Sequence, residues 1–558
     1  VLTIVAAIVM LGILVFVHEL GHFLAFKLIG VKVLKFSLGF PPAMVQKQVG
    51  ETVYQIGWVP IGGYVKALGE NDTDEIKPED RGRSMMDKPP WQRIFTFVAG
   101  PAMNLLFPIL LYWVVFGLPG EELSSRVGMI MEGMPAAAAG LQPGDRVVEV
   151  AGRKVSYWTD LQESISSRPA MDTPVKISRA GREFGITIRP EAIVETNKLG
   201  EKSTEGRIGI SPFSPEARIY VTDEKGPAAA AGVKSWDLVT AVNGKKVQDW
   251  FQFRDAFDAA GAGRVELTLE RPQDEAGVQA RIARHGKPES VQPRKSAEIK
   301  AAFVSQGTLA GDGLESAGTF IRRVEPDGPA DKAGIKSGDR MVYIDGKKVN
   351  YWGTVEDSFR RDPEKEFELV LARAGSTFQT KLRLLKKTEK DEFKQEQVTW
   401  TMGAWNDVNY TGGEYLNHGF QPLRAARESI LSTVEVIRVT YVAVYRLITG
   451  KLSLKTVGGP IMIFDMAGTV AKKGLATYLW FMALISINLG IFNLLPVPVL
   501  DGGQVMLTGV EWISRKPLSM RMRLVTNYIG LAFLGFMFVL VFKNDIERYW
   551  DSITGFFK

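Results

Sequence analysis

The chain has 558 residues, 46% hydrophobic and 23% charged, with no cysteine and a formal net charge of +6. Such a composition excludes wholesale disorder and a collagen-like repeat, and the length asks for several domains. Without cysteine there can be no disulfide, zinc ribbon, thiolate nucleophile or iron–sulfur cluster, so any metal must rest on His, Asp or Glu; the modest charge gives no case for nucleic acid.

Four stretches are apolar enough to cross a bilayer core of about 30 Å, which takes about 20 residues. They are residues 1–26, the run between Arg93 and Glu121, the run between Lys473 and Asp501, and residues 524–542 between Arg523 and Lys543. The first reads as a span rather than a cleaved leader, because no basic segment precedes it and no Ala-x-Ala site follows. Lys27, Lys32, Lys35, Lys88, Arg93, Arg515, Lys516, Arg521 and Arg523 crowd one side. Arg126, Lys472, Lys473, Lys543 and Arg548 form a thinner set on the other. The bias predicts both termini and the long middle region on the outer side.

Within the first span lies His18-Glu19-Leu20-Gly21-His22. On a helix the two histidines share a face and can bind one Zn²⁺, with Glu19 beside it as general base toward water. Three such side chains are costly in an apolar helix without a purpose. After it, residues 31–68 alternate in the manner of strands, 52–59 most clearly.

The middle region repeats itself. Ala139-Gly140-Leu141, Ala231-Gly232-Val233 and Ala333-Gly334-Ile335 are each followed at equal offsets by Asp145, Asp237 and Asp339. Gly152, Gly244 and Gly346 come next, then Val155, Val247 and Val349, then Trp158, Trp250 and Trp352. Periods of 92 and 102 residues leave room for three domains, placed at 121–200, 201–300 and 301–390. Each should run from Pro-Ala at a helix start through a Gly-Asp turn to a strand such as Arg146–Val150, a tight turn at Gly152 and a helix. They resemble the PDZ domains of bacterial membrane and periplasmic proteases, which take peptide C-termini or extended segments by strand addition. Residues 127–131, 218–221 and 319–324 are the expected edge strands, and some copies are equally well read as closed spacers.

The charged run at 386–394 reads as a solvated linker, and 391–420 as its continuation. Over 421–450, Ile430, Val434, Ile437, Tyr441, Val444 and Ile448 follow helical steps. They predict an amphipathic helix on the membrane or on other domains, within a connecting segment 421–473. A catalytic zinc usually has three protein ligands. His285 and His418 fall in polar segments, so the third donor should be a carboxylate at membrane depth. Asp501 qualifies, ending Asn493-Leu494-Leu495-Pro496-Val497-Pro498-Val499-Leu500-Asp501-Gly502-Gly503. Spans one and three run in the same direction, so Asp501 matches the histidines in depth. Pro496 and Pro498 must break the helix, which is tolerated there only around a wet or protein-lined cavity. A cytosolic loop is expected at 504–523.

Together, His-Glu-Leu-Gly-His, the Leu-Asp-Gly segment and the PDZ-like insertion resemble the site-2 protease family, closest to the bacterial regulator-of-sigma-E protease group. Ser37-Leu38-Gly39-Phe40-Pro41 and Gly62-Gly63-Tyr64-Val65-Lys66 look like that group's membrane-associated β-region, and Gly458-Gly459-Pro460-Ile461 like the segment before its third span. The resemblance implies zinc on His18, His22 and Asp501, water activation by Glu19, and substrate backbone held by Asn488 and Asn493. Interhelical hydrogen bonding is the plainer reading of those two asparagines. A third repeat exceeds the one or two expected of the group. The expected fold class is a multi-domain α-helical membrane protein with four transmembrane helices, a membrane-associated β-region and an inserted tandem of α+β PDZ domains.

The resemblance further implies an intramembrane zinc metalloprotease of the bacterial inner membrane, its catalytic site toward the cytosol and its PDZ domains outside. Single-span proteins (anti-sigma factors) or signal-peptide remnants would be its substrates, with membrane lipid around it. A catalytically inactive membrane-tethered PDZ scaffold is the alternative, and a zinc enzyme acting on a non-peptide substrate is a third reading.

Overall fold

The computed structural model describes residues 2–70, 76–179, 181–196, 201–272, 296–390, 396–516 and 518–556. Two compact units emerge: residues 1–120, 390–396 and 418–558 in one, and 121–389 with 397–417 in the other. The main helices are α1 (Leu2–Leu28), α2 (Pro90–Gly117), α3 (Trp158–Ser166), α4 (Trp250–Ala260), α5 (Gly353–Arg361), α6 (Pro422–Ile448), α7 (Pro460–Lys473), α8 (Leu475–Asn493), α9 (Asp501–Ser514) and α10 (Met520–Phe556).

In the first unit, four helices are long and apolar enough to cross a membrane: α1, α2, α8 and residues 521–550 of α10. Helix α1 is apolar over most of its surface, and Ala7, Met10, Leu14, Val17, Gly21 and Ala25, in steps of three and four, make a buried stripe flanked by buried Ala6 and Phe26. Leu2, Val5, Val9 and Phe16 stay exposed, as a lipid-facing surface requires. The stripe packs on α2 and α7, and α2 in turn on α6, α8 and α9. Tyr112, Phe481, Met482 and Ile487 fill the shared core.

The predicted amphipathic helix exists as α6; it packs against α2 and α8, while Ile430, Val434, Tyr441 and Ile448 of its apolar stripe stay exposed. Trp113 donates to the Pro422 carbonyl at 3.2 Å, and Thr440 Oγ1 to Asn488 Oδ1 at 3.0 Å. Thr440 thus finds its partner on a neighbouring helix, which the periodicity could not reveal. A correction concerns residues 504–523: α9 occupies them to Ser514, because the chain resumes helical form at Asp501 once past Pro496 and Pro498. Glu511 then ties α9 to α2 and α10, accepting from Arg93 at 3.0 Å and Arg523 at 2.5 Å.

Between α1 and α2 lie β1 (Val33–Val49) and β2 (Thr52–Ala67). Each bends and pairs twice, giving four segments side by side. Val45–Val49 pairs with Thr52–Ile56, which lies beside Lys35–Leu38, and that segment also pairs with Gly63–Lys66.

The second unit contains three sheets of one topology. In spatial order the first is Arg153–Lys154, Arg146–Val150, Thr173–Arg179, Arg182–Ile188. The second and third place Lys245–Lys246, Leu238–Val242, Ala262–Pro272, Ser296–Gln306 and Lys347–Lys348, Arg340–Ile344, Glu366–Arg373, Ser376–Arg383 likewise. Each sheet builds its own core with α3, α4 or α5. The repeated Asp in each copy is buried and held by an Arg 34 residues later: Arg179 on Asp145, Arg271 on Asp237, Arg373 on Asp339. The same guanidinium also donates to the carbonyl of Gly140, Gly232 or Gly334, closing the turn before the strand.

The copies run further than the repeat suggests. Ile208 belongs to the first core, Phe303 and Leu314 to the second, Met402 and Ala404 to the third. The linker expected at 386–394 and 391–420 is therefore corrected: Leu385–Lys390 and Glu396–Thr401 are paired strands, and Ala404–Trp405 completes the third copy. Residues 391–395 lie outside the described residues. The expected edge strands are also corrected. Met129–Ile130, Ile219–Val221 and Arg323–Val324 pair with Ile210–Ser211, Leu314–Ser316 and Ala404–Trp405, while Arg126, Arg218 and Phe320 just before them bridge to Arg146, Leu238 and Arg340 of the four-stranded sheets.

Candidate metal centre

Helix periodicity puts His18 and His22 on one side of α1, and the break after Asn493 delivers Asp501 to them at the first turn of α9. A carboxylate is favoured at that helix end by the local dipole. The Nε2 atoms of the two histidines are 3.2 Å apart, and Asp501 lies 3.2 Å from His18 and 3.5 Å from His22. Among the described residues these three form a group of His and carboxylate ligand atoms lying within 4.8 Å of one another.

The surroundings fit a metal. His22 Nδ1 donates to the Thr96 carbonyl at 2.8 Å, which leaves its Nε2 lone pair facing Asp501. His18 Nδ1 faces the amide of Asn104 at 3.2 Å, while Asn104 Oδ1 is buried without a hydrogen-bond partner. If Nε2 of His18 ligates a cation, Nδ1 must carry the proton, and the Asn104 oxygen is its natural acceptor once the amide is turned over. Two imidazoles and a carboxylate, with space beside them, are the donor set of a catalytic zinc.

That space is a cavity of about 660 Å³, lined in part by His18, Glu19, His22, Tyr64, Val65 and Asp501. The Gly63–Lys66 segment comes so near that a Cβ on Gly63 would sit 3.2 Å from Glu19 Cγ. Helix α2 approaches as closely: a Cβ at Gly100 would lie 2.3 Å from His22 Nε2, and one at Gly21 would lie 2.4 Å from the Ala99 carbonyl.

Asn488 and Asn493 are not among the cavity's lining residues. Asn488 is engaged by Thr440, and Asn493 ends α8. His418 makes a local contact to the Gly419 carbonyl, and His285 lies outside the described residues. Sequence reasoning overlooked Thr96, Gly100 and Asn104. The signal was present: Asn104 is a polar residue in an otherwise apolar span, one turn after Gly100.

The family model described as Peptidase family M50 matches residues 6–537. The chain belongs to peptidase family M50. Among M50-like relatives, a Neisseria meningitidis serogroup A protein named "Putative zinc metalloprotease" is 29% identical over 98% of this chain and 99% of its own length. Regulator of sigma-E protease RseP of Escherichia coli is 29% identical over 97% of each chain, and protease RseP of Yersinia pestis 28% over 97% and 98%. Membership of M50 makes the chain a zinc metalloprotease.

Proposed function

We propose that the chain hydrolyses peptide bonds in or beside the apolar segment of single-span membrane proteins or signal-peptide remnants, within a bacterial inner membrane. The observation carrying this reading is the cavity shared by His18, Glu19, His22, Asp501 and the Gly63–Lys66 edge. A helical substrate hides its own peptide groups, so cleavage requires a local extended stretch. Strand addition to an edge beside Glu19 supplies one.

His18, His22 and Asp501 would hold the zinc. Bound there, zinc supplies Lewis-acid polarisation of a carbonyl and acidifies water. Glu19 takes the proton from the attacking water and returns it to the leaving amine. Asn104 and Thr96 fix the two imidazoles in the tautomer that leaves Nε2 available. Asn488 and Asn493 as holders of substrate backbone rest on the family resemblance.

Lys and Arg near the spans support a cytosolic position for this cavity and an outer position for the insertion. The three repeats are read as PDZ domains that screen out substrates with bulky ectodomains. Deletion of residues 121–389 should then allow cleavage of untrimmed substrate, and unchanged selectivity would refute the screen. The protease reading is tested with Glu19→Gln and a single-span substrate: cleavage lost with zinc retained supports it. Equal behaviour of both forms would favour the inactive scaffold.

A further inference from the structure

The three copies differ at one position on the helix that flanks each sheet. Seven residues after the repeated Trp, at equal offset, stand Ile165, Phe257 and Phe359. Phe257 is fully buried in the second core, and Phe359 packs against the third. In the second copy Leu309 packs into the same core, and Leu314 is buried. In the first copy the smaller Ile165 leaves a cavity of about 410 Å³ between α3 and the strand Ile210–Ser211, lined by Met131, Trp158, Leu161, Ile165, Ile208 and Ile210.

The wall of this cavity is a strand with an unused side. Met131 N–H donates to the Gly209 carbonyl at 2.9 Å, which makes those two residues a hydrogen-bonded antiparallel pair. Alternation then makes Ile210 and Ile130 a non-hydrogen-bonded pair, so the N–H and C=O of Ile210 turn away from that neighbour, toward α3.

The rim is acidic. Among the described lining residues, Glu195, Glu205 and Asp357 face the cavity with Arg207 as the one cation against them. Arg207 is already shared by Glu195 at 2.5 Å and Asp357, from the third copy, at 3.5 Å. At the end where the strand begins, Gly206 lies against the Ile165 carbonyl so tightly that a Cβ there would be 2.4 Å from that oxygen. A peptide's terminal carboxylate would meet acidic side chains and a carbonyl at this end. Lysine or arginine side chains on an extended segment would meet their complement.

We propose that the first copy, alone of the three, takes an extended internal segment with alternating apolar and basic residues. This rests on the peptide-binding reading of the repeats and deepens it.

The test uses the full chain carrying Glu19→Gln, so that no probe is cut. Fluorescent ten-residue probes of alternating Val and Lys, or Val and Glu, with amidated ends are followed by anisotropy. The Val–Lys probe should bind at least about fivefold more tightly, as one or two partly exposed ion pairs allow. Gln162→Trp, an exposed change on α3 that fills the groove, should abolish binding. Arg254→Trp, at the same offset on α4, should leave it intact. Glu195→Lys with Glu205→Lys should invert the preference. Binding that survives Gln162→Trp, equal binding of both probes, or tighter binding of a free-carboxylate Val–Lys probe would each overturn the proposal. Cleavage of a short substrate without an ectodomain, by chain with Glu19 intact, runs in parallel. Failure there with probe binding intact counts against the protease reading alone.

Discussion

Asn104 of α2 brings its side-chain amide to 3.2 Å from Nδ1 of His18 of α1, with its oxygen buried and otherwise unpaired. The contact crosses two membrane helices and settles what an ion-binding His18 needs on its far side. Asn104→Leu should therefore weaken zinc binding by about 10–100-fold, the usual effect of losing such a support. Competition with a fluorescent chelator measures this, and unchanged affinity would remove Asn104 from the metal's surroundings.

Glycine matters at one place on α1 and is dispensable at another. A Cβ on Gly21 would meet the Ala99 carbonyl at 2.4 Å, whereas one on Gly12 has nothing within 4 Å. Gly21→Ala should cost about 1–3 kcal/mol through overpacking and pull the histidines from Asp501. Gly12→Ala should be neutral or stabilise by up to about 1 kcal/mol. Thermal unfolding in detergent, with zinc content alongside, separates them; equal losses would refute the close helix contact.

Each copy of the insertion depends on a charge pair whose acid is buried. Removing the base from the Arg373–Asp339 pair, by Arg373→Leu, strands a carboxylate that is fully buried. The expected loss is about 3–5 kcal/mol for that copy, less whatever water recovers. Trp352 in the same copy offers a fluorescence readout. Arg373→Leu with Asp339→Asn together should recover part of the loss.

Glu414 gives the insertion a pH response. Burial pushes its carboxyl up, but Ser124 Oγ at 2.8 Å and Arg146 at 2.5 Å outweigh this and hold it below the ordinary value of 4.5. A depressed folded value means that the contact stabilises fully above the ordinary carboxylate range. That stabilisation fades as pH falls below it and is gone once the folded value is passed. The stability gap between wild type and Glu414→Gln should thus be constant near neutrality and shrink on acidification. A gap that grows on acidification would contradict the assignment.

Much of this architecture could be read from the residues, and the failures share a cause. Spans, the His18–His22 face and the helix break before Asp501 follow from local spacing and proline geometry, which a chain carries in itself. The triplication was visible too, and Arg179, Arg271 and Arg373 carry the same period, each 34 residues after the repeated Asp. What could not be read was partnership across long separations. Examples are α6 against α2 and α8, Asn488 with Thr440, Thr96 with His22, and strands after residue 385 that complete a domain begun near 320. A polar residue in an apolar helix announces that it needs a partner, and only three dimensions say which one.

The residues that would hold the metal come from opposite ends of the chain, with His22 on α1 and Asp501 on α9. During synthesis at roughly 5–20 residues per second, the carboxylate is made about 25–100 s after the histidines. Until then the nascent protein has two imidazoles but no complete set of donors. The order of these residues along the chain thus fixes when the donor set can first be complete: only after α9 has been made.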